Sequence, residues 1–139
     1  MIAQEEQFRI YLHAPLKAET PMIVLQLKLS ALDAFSRTDN TLATLIRNFN
    51  EALHPDGKAF GFRNDDIFIA YSPKINENQI KALLIKTGLY FSADPKIENP
   101  ESLQRTFVLP ADRDALNYET SRIEAAPPSR ADTMPNKVA

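Results

Sequence analysis

The sequence predicts an α+β fold: helices packed on an antiparallel-containing sheet, with elements in the order β-α-β-β-α-β. Three observations carry this. Residues 22–29 (Met-Ile-Val-Leu-Gln-Leu-Lys-Leu) pass from a continuous apolar run to strict alternation, the pattern of a central strand less covered at its end. Residues 39–53 repeat apolar side chains at spacings of three and four, the pattern of an amphipathic helix. Residues 58–72 hold two apolar runs that meet at a polar four, Arg63-Asn64-Asp65-Asp66, and read as a β-hairpin with adjacent carboxylates at its tip.

Before the first strand, residues 7–12 (Gln-Phe-Arg-Ile-Tyr-Leu) alternate in part and fit either a short helix or an edge strand. Pro21 blocks extension of the 22–29 strand on its N-terminal side. In the 39–53 helix, Leu42, Leu45, Ile46, Phe49 and Leu53 form the core stripe. Thr38 or Asp39 caps its start and Pro55 ends it. Asp56-Gly57 is a turn signal leading into the hairpin strands, about 58–63 and 67–72. A second helix follows over Glu77–Thr87. Asn76 and Gln79 stand at capping-box spacing, Ile80, Leu83 and Leu84 form its buried face, and Gly88 sits where a left-handed terminating residue is favoured. Leu89-Tyr90-Phe91 is a candidate short strand. Thr106-Phe107-Val108-Leu109 is β-prone and stops at Pro110. From about Tyr118, Pro127, Pro128, Pro135 and small polar residues lower the apolar content, so residues 118–139 are expected to be a disordered tail or linker after a single domain over 1–117. Such a tail suggests the N-terminal piece of a longer protein. Strand, crossover helix, hairpin and second helix together suggest the ferredoxin-like arrangement with helices on one face of the sheet.

Composition narrows the chemistry. The chain has 139 residues, 44% of them apolar, enough for one packed domain. A formal net charge of −2 gives no long-range pull toward nucleic acid or anionic lipid. Without cysteine there is no disulfide, thiolate nucleophile or thiolate metal ligand, and His13 and His54 alone supply imidazole. The N-terminus is acidic and lacks the apolar run of a signal peptide, and no stretch approaches the roughly 20 apolar residues that span a bilayer. A cytoplasmic location is expected.

The hairpin resembles that of a GGDEF domain, the fold of bacterial diguanylate cyclases, in degenerate form. Arg63-Asn64-Asp65-Asp66-Ile67 stands where the family has Gly-Gly-Asp-Glu-Phe, and Phe68-Ile69-Ala70-Tyr71 continues as the apolar return strand. The family's first strand ends in Asp-x-Asp followed by Phe, where this chain has Lys28-Leu29-Ser30 and then Leu32. Asp39 and Leu42-x-x-Leu45 resemble the start of the family's helix. The likeness spans roughly residues 22–90. It implies a signalling module, and the departures weigh against catalysis. Family carboxylates at the first strand and the signature hold the divalent ions bound to GTP, and hard cations need such oxygens. Lys28 places a positive charge where a carboxylate is expected, and Ser36 takes the place of the guanine-binding Asn. Arg63 and Asn64 replace the glycines that let backbone approach the nucleotide. His54-Pro55-Asp56-Gly57 occupies the region of the inhibitory Arg-x-x-Asp motif.

The candidate ligand or interaction residues are therefore Arg63, Asn64, Asp65, Asp66 and Lys28, with no catalytic residue, metal or cofactor assigned. Asp65-Asp66 is open to two readings. One is a cation or acid–base site; the other is plain turn chemistry, since Asn and Asp bond local backbone and tolerate left-handed conformations. A single acidic pair without a third ligand is a poor Mg²⁺ site. Lys58, Phe60, Phe62 and Phe68 also resemble the aromatic strand of an RNA-recognition motif, although rings on one strand face serve a core equally well. Glu5-Glu6 reads as a solvated charge pair, and His13 and His54 as surface or capping side chains. The expectation is a non-catalytic regulatory or protein-interaction module. Its partner would be a protein, an adjacent domain or a second copy, with no membrane or nucleic acid bound and nucleotide at most weakly. The alternatives are a nucleotide-binding cyclase-type enzyme using Asp65 and Asp66, and an RNA-binding module.

Overall fold

A computed structural model of the chain describes residues 2–33, 36–90 and 103–126, the side chains of 88–90 excepted. Helix α1 (Glu5–Lys17) leads into strand β1 (Met22–Leu27) and a short 3-10 turn at Leu29–Ala31. Helix α2 (Asp39–Leu53), strands β2 (Gly57–Gly61) and β3 (Ile67–Tyr71), helix α3 (Glu77–Tyr90), strand β4 (Gln104–Leu109) and helix α4 (Arg113–Ala125) follow. The fold is α+β as expected. From β1 to β4 the order is β-α-β-β-α-β, and the four strands form one antiparallel sheet in the order β2-β3-β1-β4.

Helices cover both faces of this sheet, not one. On the first face, Leu25, Leu27, Ala59, Ile67 and Ile69 pack with the α2 stripe and with Ile80 of α3. On the second, Met22, Val24, Phe60, Phe68, Ala70, Phe107 and Leu109 pack with Phe8 and Leu12 of α1 and with Leu116 and Ile123 of α4. Double coverage explains why β1 reads as a nearly continuous apolar run. It also corrects the expectation that β1 becomes less covered at its end, because Gln26 is 0% exposed and Leu27 is buried.

The ambiguous segment at 7–12 is helical. Phe8 and Leu12 are buried one turn apart while Ile10, which suggested alternation, is 67% exposed. Acidic Glu5 and Glu6 in the first turn and Lys17 in the last suit the helix dipole. Thr38 caps α2 by accepting from the Thr41 N–H at 3.2 Å. Asn76 caps α3 through the Asn78 N–H at 2.8 Å, but Gln79 completes no capping box; its amide donates to the Ala52 carbonyl of α2 at 2.7 Å. Helix α3 continues through Gly88, which takes no positive φ, so Leu89 and Tyr90 end a helix instead of opening a strand. Phe91 lies outside the described residues. Gly57 serves close approach: a Cβ there would fall 2.9 Å from Tyr71 Cβ and 3.1 Å from Leu53 Cβ.

The expected tail is corrected over residues 118–125, which belong to α4. Leu116 and Ile123 lie on one helix face with Glu119 and Thr120 buried between them. A stripe that is half polar leaves no apolar periodicity to read. Residues 127–139, the remainder of that expectation, lie outside the described residues.

Side chains take up N–H groups at three positions on the edge strands. On β2 the Ala59 N–H donates to Asn50 Oδ1 at 2.7 Å and the Gly61 N–H to Gln4 Oε1 at 2.8 Å. On β4 the Val108 N–H donates to Asp112 Oδ2 at 2.8 Å.

Phe49 and Phe8 anchor opposite faces of the sheet. Phe49→Ala and Phe8→Ala are each expected to cost about 3–5 kcal/mol in urea melts. A loss below about 1 kcal/mol for Phe8→Ala would detach α1 from the core.

Candidate functional site

The hairpin tip folds inward. The Phe62 N–H donates to the Asp66 carbonyl and the Asp65 N–H to the Phe62 carbonyl, both at 2.9 Å, which closes the turn. Asp65 takes a φ of 75°, the left-handed conformation that Asp tolerates better than most residues. Asn64 Oδ1 accepts the Asp66 N–H at 3.0 Å. Asp65 and Asp66 are each 1% exposed and point to different partners.

Asp65 Oδ2 accepts from Arg37 Nη1 at 2.8 Å, and Arg37 Nε donates to the Leu32 carbonyl at 3.0 Å. This buried ion pair ties the tip to the segment before α2. Asp66 is satisfied by N–H donors: the Ser30 backbone at 2.9 Å, Asn64 Nδ2 at 3.0 Å and Gln26 Nε2 at 3.0 Å. Gln26 Nε2 also donates to Glu119 Oε2 at 2.7 Å, so one β1 amide holds a carboxylate from the hairpin and another from α4. Both amide hydrogens are used and Gln26 Oε1 is left without a hydrogen-bond partner. Reversing the amide would turn its oxygen toward two carboxylates, a larger penalty than the orphaned carbonyl.

Glu119 is further held by Arg122, whose Nε and Nη2 donate to Oε1 and Oε2 at 3.1 and 2.7 Å, with Arg105 Nη1 3.8 Å away. The Arg122 fork holds the Glu119 carboxyl below the usual carboxylate range. Burial opposes this, and the Gln26 amide and Arg105 add to it. Arg63, half-buried, is bound by Glu5: its backbone N–H and its Nε donate to Glu5 Oε2 at 2.7 and 3.2 Å. Its Nη1 donates to the Glu124 carbonyl of α4 at 3.4 Å. Glu5, read as solvated, is thus 3% exposed and structural.

Four of the five predicted residues, Arg63, Asn64, Asp65 and Asp66, come together in this cluster. Lys28 is half-buried just beyond β1, where its backbone N–H donates to the Leu103 carbonyl at 2.6 Å. Sequence reasoning missed Glu5, Gln26, Arg37 and Glu119. Gln26 carried a signal, as the one polar side chain inside the 22–27 run; Glu119 and Arg37 carried none. The aromatic strand does not present rings for stacking on bases. Phe60, Phe62 and Phe68 are buried, and Phe8 sits 5.4 Å from each of their ring centroids. His13 and His54 are exposed.

Charge in the cluster balances internally. Asp65 has Arg37, Glu5 has Arg63, Glu119 has Arg122 and Arg105, and Asp66 has three N–H donors. Among the described residues no group of three or more His, Asp or Glu is placed to hold a metal ion. Asp65 and Asp66 also cannot act as an acid–base couple on one substrate, since each is buried and aimed at its own partners. Among the described residues no helix is long and apolar enough to cross a membrane. No family model, curated protein or solved structure matches the chain.

Two outcomes follow. Arg37→Ala leaves Asp65 buried without that countercharge and is expected to cost about 3–5 kcal/mol in denaturant melts. The lowered Glu119 carboxyl contributes stability that is complete above its unfolded-state pKa and lost as pH falls through its folded-state value. The stability gap between wild type and Glu119→Gln should therefore be widest near pH 7 and shrink below about pH 4. Urea melts across that range check it; a gap independent of pH would contradict the assignment.

Proposed function

We propose that the chain is a non-catalytic regulatory or protein-interaction module, of the kind the degenerate GGDEF-like hairpin implies for a bacterial signalling protein in the cytoplasm. The observation that carries this reading is the commitment of the hairpin tip to internal bonds. The two carboxylates that a nucleotide-bound metal would need are 1% exposed and already bonded, Asp65 to Arg37 and Asp66 to Ser30, Asn64 and Gln26. Phosphoryl chemistry of the cyclase type requires metal ions that neutralise charge developing on the phosphates. Lys28, past the end of β1, adds a positive charge where a cation ligand would be needed. Arg63, the group best suited to a phosphate, is engaged by Glu5. What is left for function is the outer surface, and a protein partner, an adjacent domain or a second copy is the ligand that a surface of this size serves.

The test is incubation of the purified chain with GTP and Mg²⁺ or Mn²⁺, with product analysis and titration of GTP by calorimetry. The expected outcome is no cyclic dinucleotide and no tight binding. Cyclic dinucleotide formed by the purified chain, or GTP bound tightly, and lost in an Asp66→Asn variant that keeps the wild-type circular dichroism spectrum would overturn the reading in favour of an enzyme.

A further inference from the structure

Helix α4 gives the core two large apolar side chains, Leu116 and Ile123, where α2 gives five. Its other ties are polar and run through two residues. Glu119 meets Gln26 of β1 at 2.7 Å and Arg105 of β4 at 3.8 Å. Glu124 pairs with the exposed Arg9 of α1, and its carbonyl accepts from Arg63 Nη1 at 3.4 Å.

These polar ties are divided so that parting them strands no charge. Glu119 carries its own counter-ion: Arg122, three residues on in the same helix, donates to it from Nε and Nη2 at 3.1 and 2.7 Å. On the other side, Gln26 keeps Asp66 at 3.0 Å and Arg63 keeps Glu5 at 3.2 Å. Arg105 keeps the ring of Phe107, 4.7 Å from its centroid. Breaking a buried ion pair is costly when one charge is left alone, and that does not arise here.

The body that remains without α4 is complete. Among the described residues, the first-face core takes no side chain from α4. On the second face, Phe60, Phe62 and Phe68 keep Phe8, whose ring centroid lies 5.4 Å from each of theirs. Strand β4 stays paired with β1 along its length. The connection into α4 is anchored on the strand side. Asp112 Oδ2 accepts the Val108 N–H and the Asp112 N–H donates to the Val108 carbonyl, both at 2.8 Å. Its side chain caps no N–H of the helix, so residues 110–112 belong with β4 and mark a hinge.

We propose that α4 is a hinged cover. It lifts as one unit about residues 110–112 while the sheet, α1, α2 and α3 stay folded. Its departure uncovers Phe107 and Leu109 of β4, the strand on which it packs. Glu119 sets the balance between closed and open, because it holds the ties to both β1 and β4. The protein then has two surfaces to offer: one with α4 in place, and one with an apolar strip beside Arg105. The inference stands apart from the interaction-module reading, and its test involves neither nucleotide nor partner.

That test is native-state amide hydrogen exchange, followed by NMR on the full chain in urea below its melt. Corrected for intrinsic rates, the amides of residues 117–124 should exchange together, at least about 100-fold faster than those of β1 and β3. Phe49→Ala, on the opposite face, should speed exchange in β1 and β3 and leave α4 unchanged. Where Phe49→Ala does not fold, Ile46→Val makes the same cut at about three- to tenfold. Glu119→Gln should speed exchange of α4 about tenfold or more. Exchange of α4 at the pace of the sheet, or its acceleration by Phe49→Ala or Ile46→Val, would overturn the proposal. So would indifference to Glu119→Gln, or protection graded along α4, which is the mark of fraying from one end.

Discussion

One amide organises this molecule. Gln26 stands in β1, one of the two inner strands of the sheet, and its Nε2 reaches both Asp66 at the hairpin and Glu119 on α4. Through Asp66 it fixes how the hairpin returns, since that carboxylate also takes the Ser30 backbone and the Asn64 side chain. Through Glu119 it fixes where α4 lies, since Arg122 and Arg105 gather on the same carboxylate. Apolar packing alone would let α4 slide along Phe107 and Leu109. A buried polar bond with defined donor and acceptor does not permit sliding, because each displaced partner would be left unpaired in a dry interior. The orphaned Gln26 carbonyl is the cost of giving both amide hydrogens to carboxylates.

The tip carries acidic residues yet has none of the accessibility an acidic ligand site requires. Three ion pairs converge around it from separate parts of the chain: Arg63 with Glu5, Arg37 with Asp65, and Arg122 with Glu119. Each neutralises a carboxylate that would otherwise strain the interior. The hairpin is a lock between α1, the segment before α2, and α4. The same residue types, adjacent in sequence, suit a ligand site or a lock, and only their burial separates the two.

Most of the scaffold was legible because it is built from local patterns. The α2 stripe, the β1 run and the two hairpin runs each carry their own period, and each forms where that period places it. Helix α1 was ambiguous because Phe8, Ile10 and Leu12 alternate while Phe8 and Leu12 are also one turn apart, and only burial decides between them. Helix α4 was invisible because its inner face carries Glu119 and Thr120 between Leu116 and Ile123. The cluster was half legible. Asp65 and Asp66 stood out by type, but the distant side chains that close them, Arg37 and Gln26, lie 28 and 40 residues away, and no local spacing announces a contact across such a distance. Coverage of the second face by terminal helices was likewise hidden, so aromatic residues that could have been a platform for bases are core.

The side chains that occupy the rims of the sheet bear on how this protein can be recognised. Asn50 and Gln4 on one edge, and Asp112 on the other, take N–H groups that an incoming strand would need. Strand addition is undiscriminating, since every polypeptide offers the same backbone. Where these N–H groups are taken, an added strand would lose hydrogen bonds, and what the molecule presents instead is the side-chain surface of its helices. The sheet is blunted at these three points against edge-to-edge pairing of copies, and its helix surface can change by substitution while the sheet and its buried polar lock stay as they are.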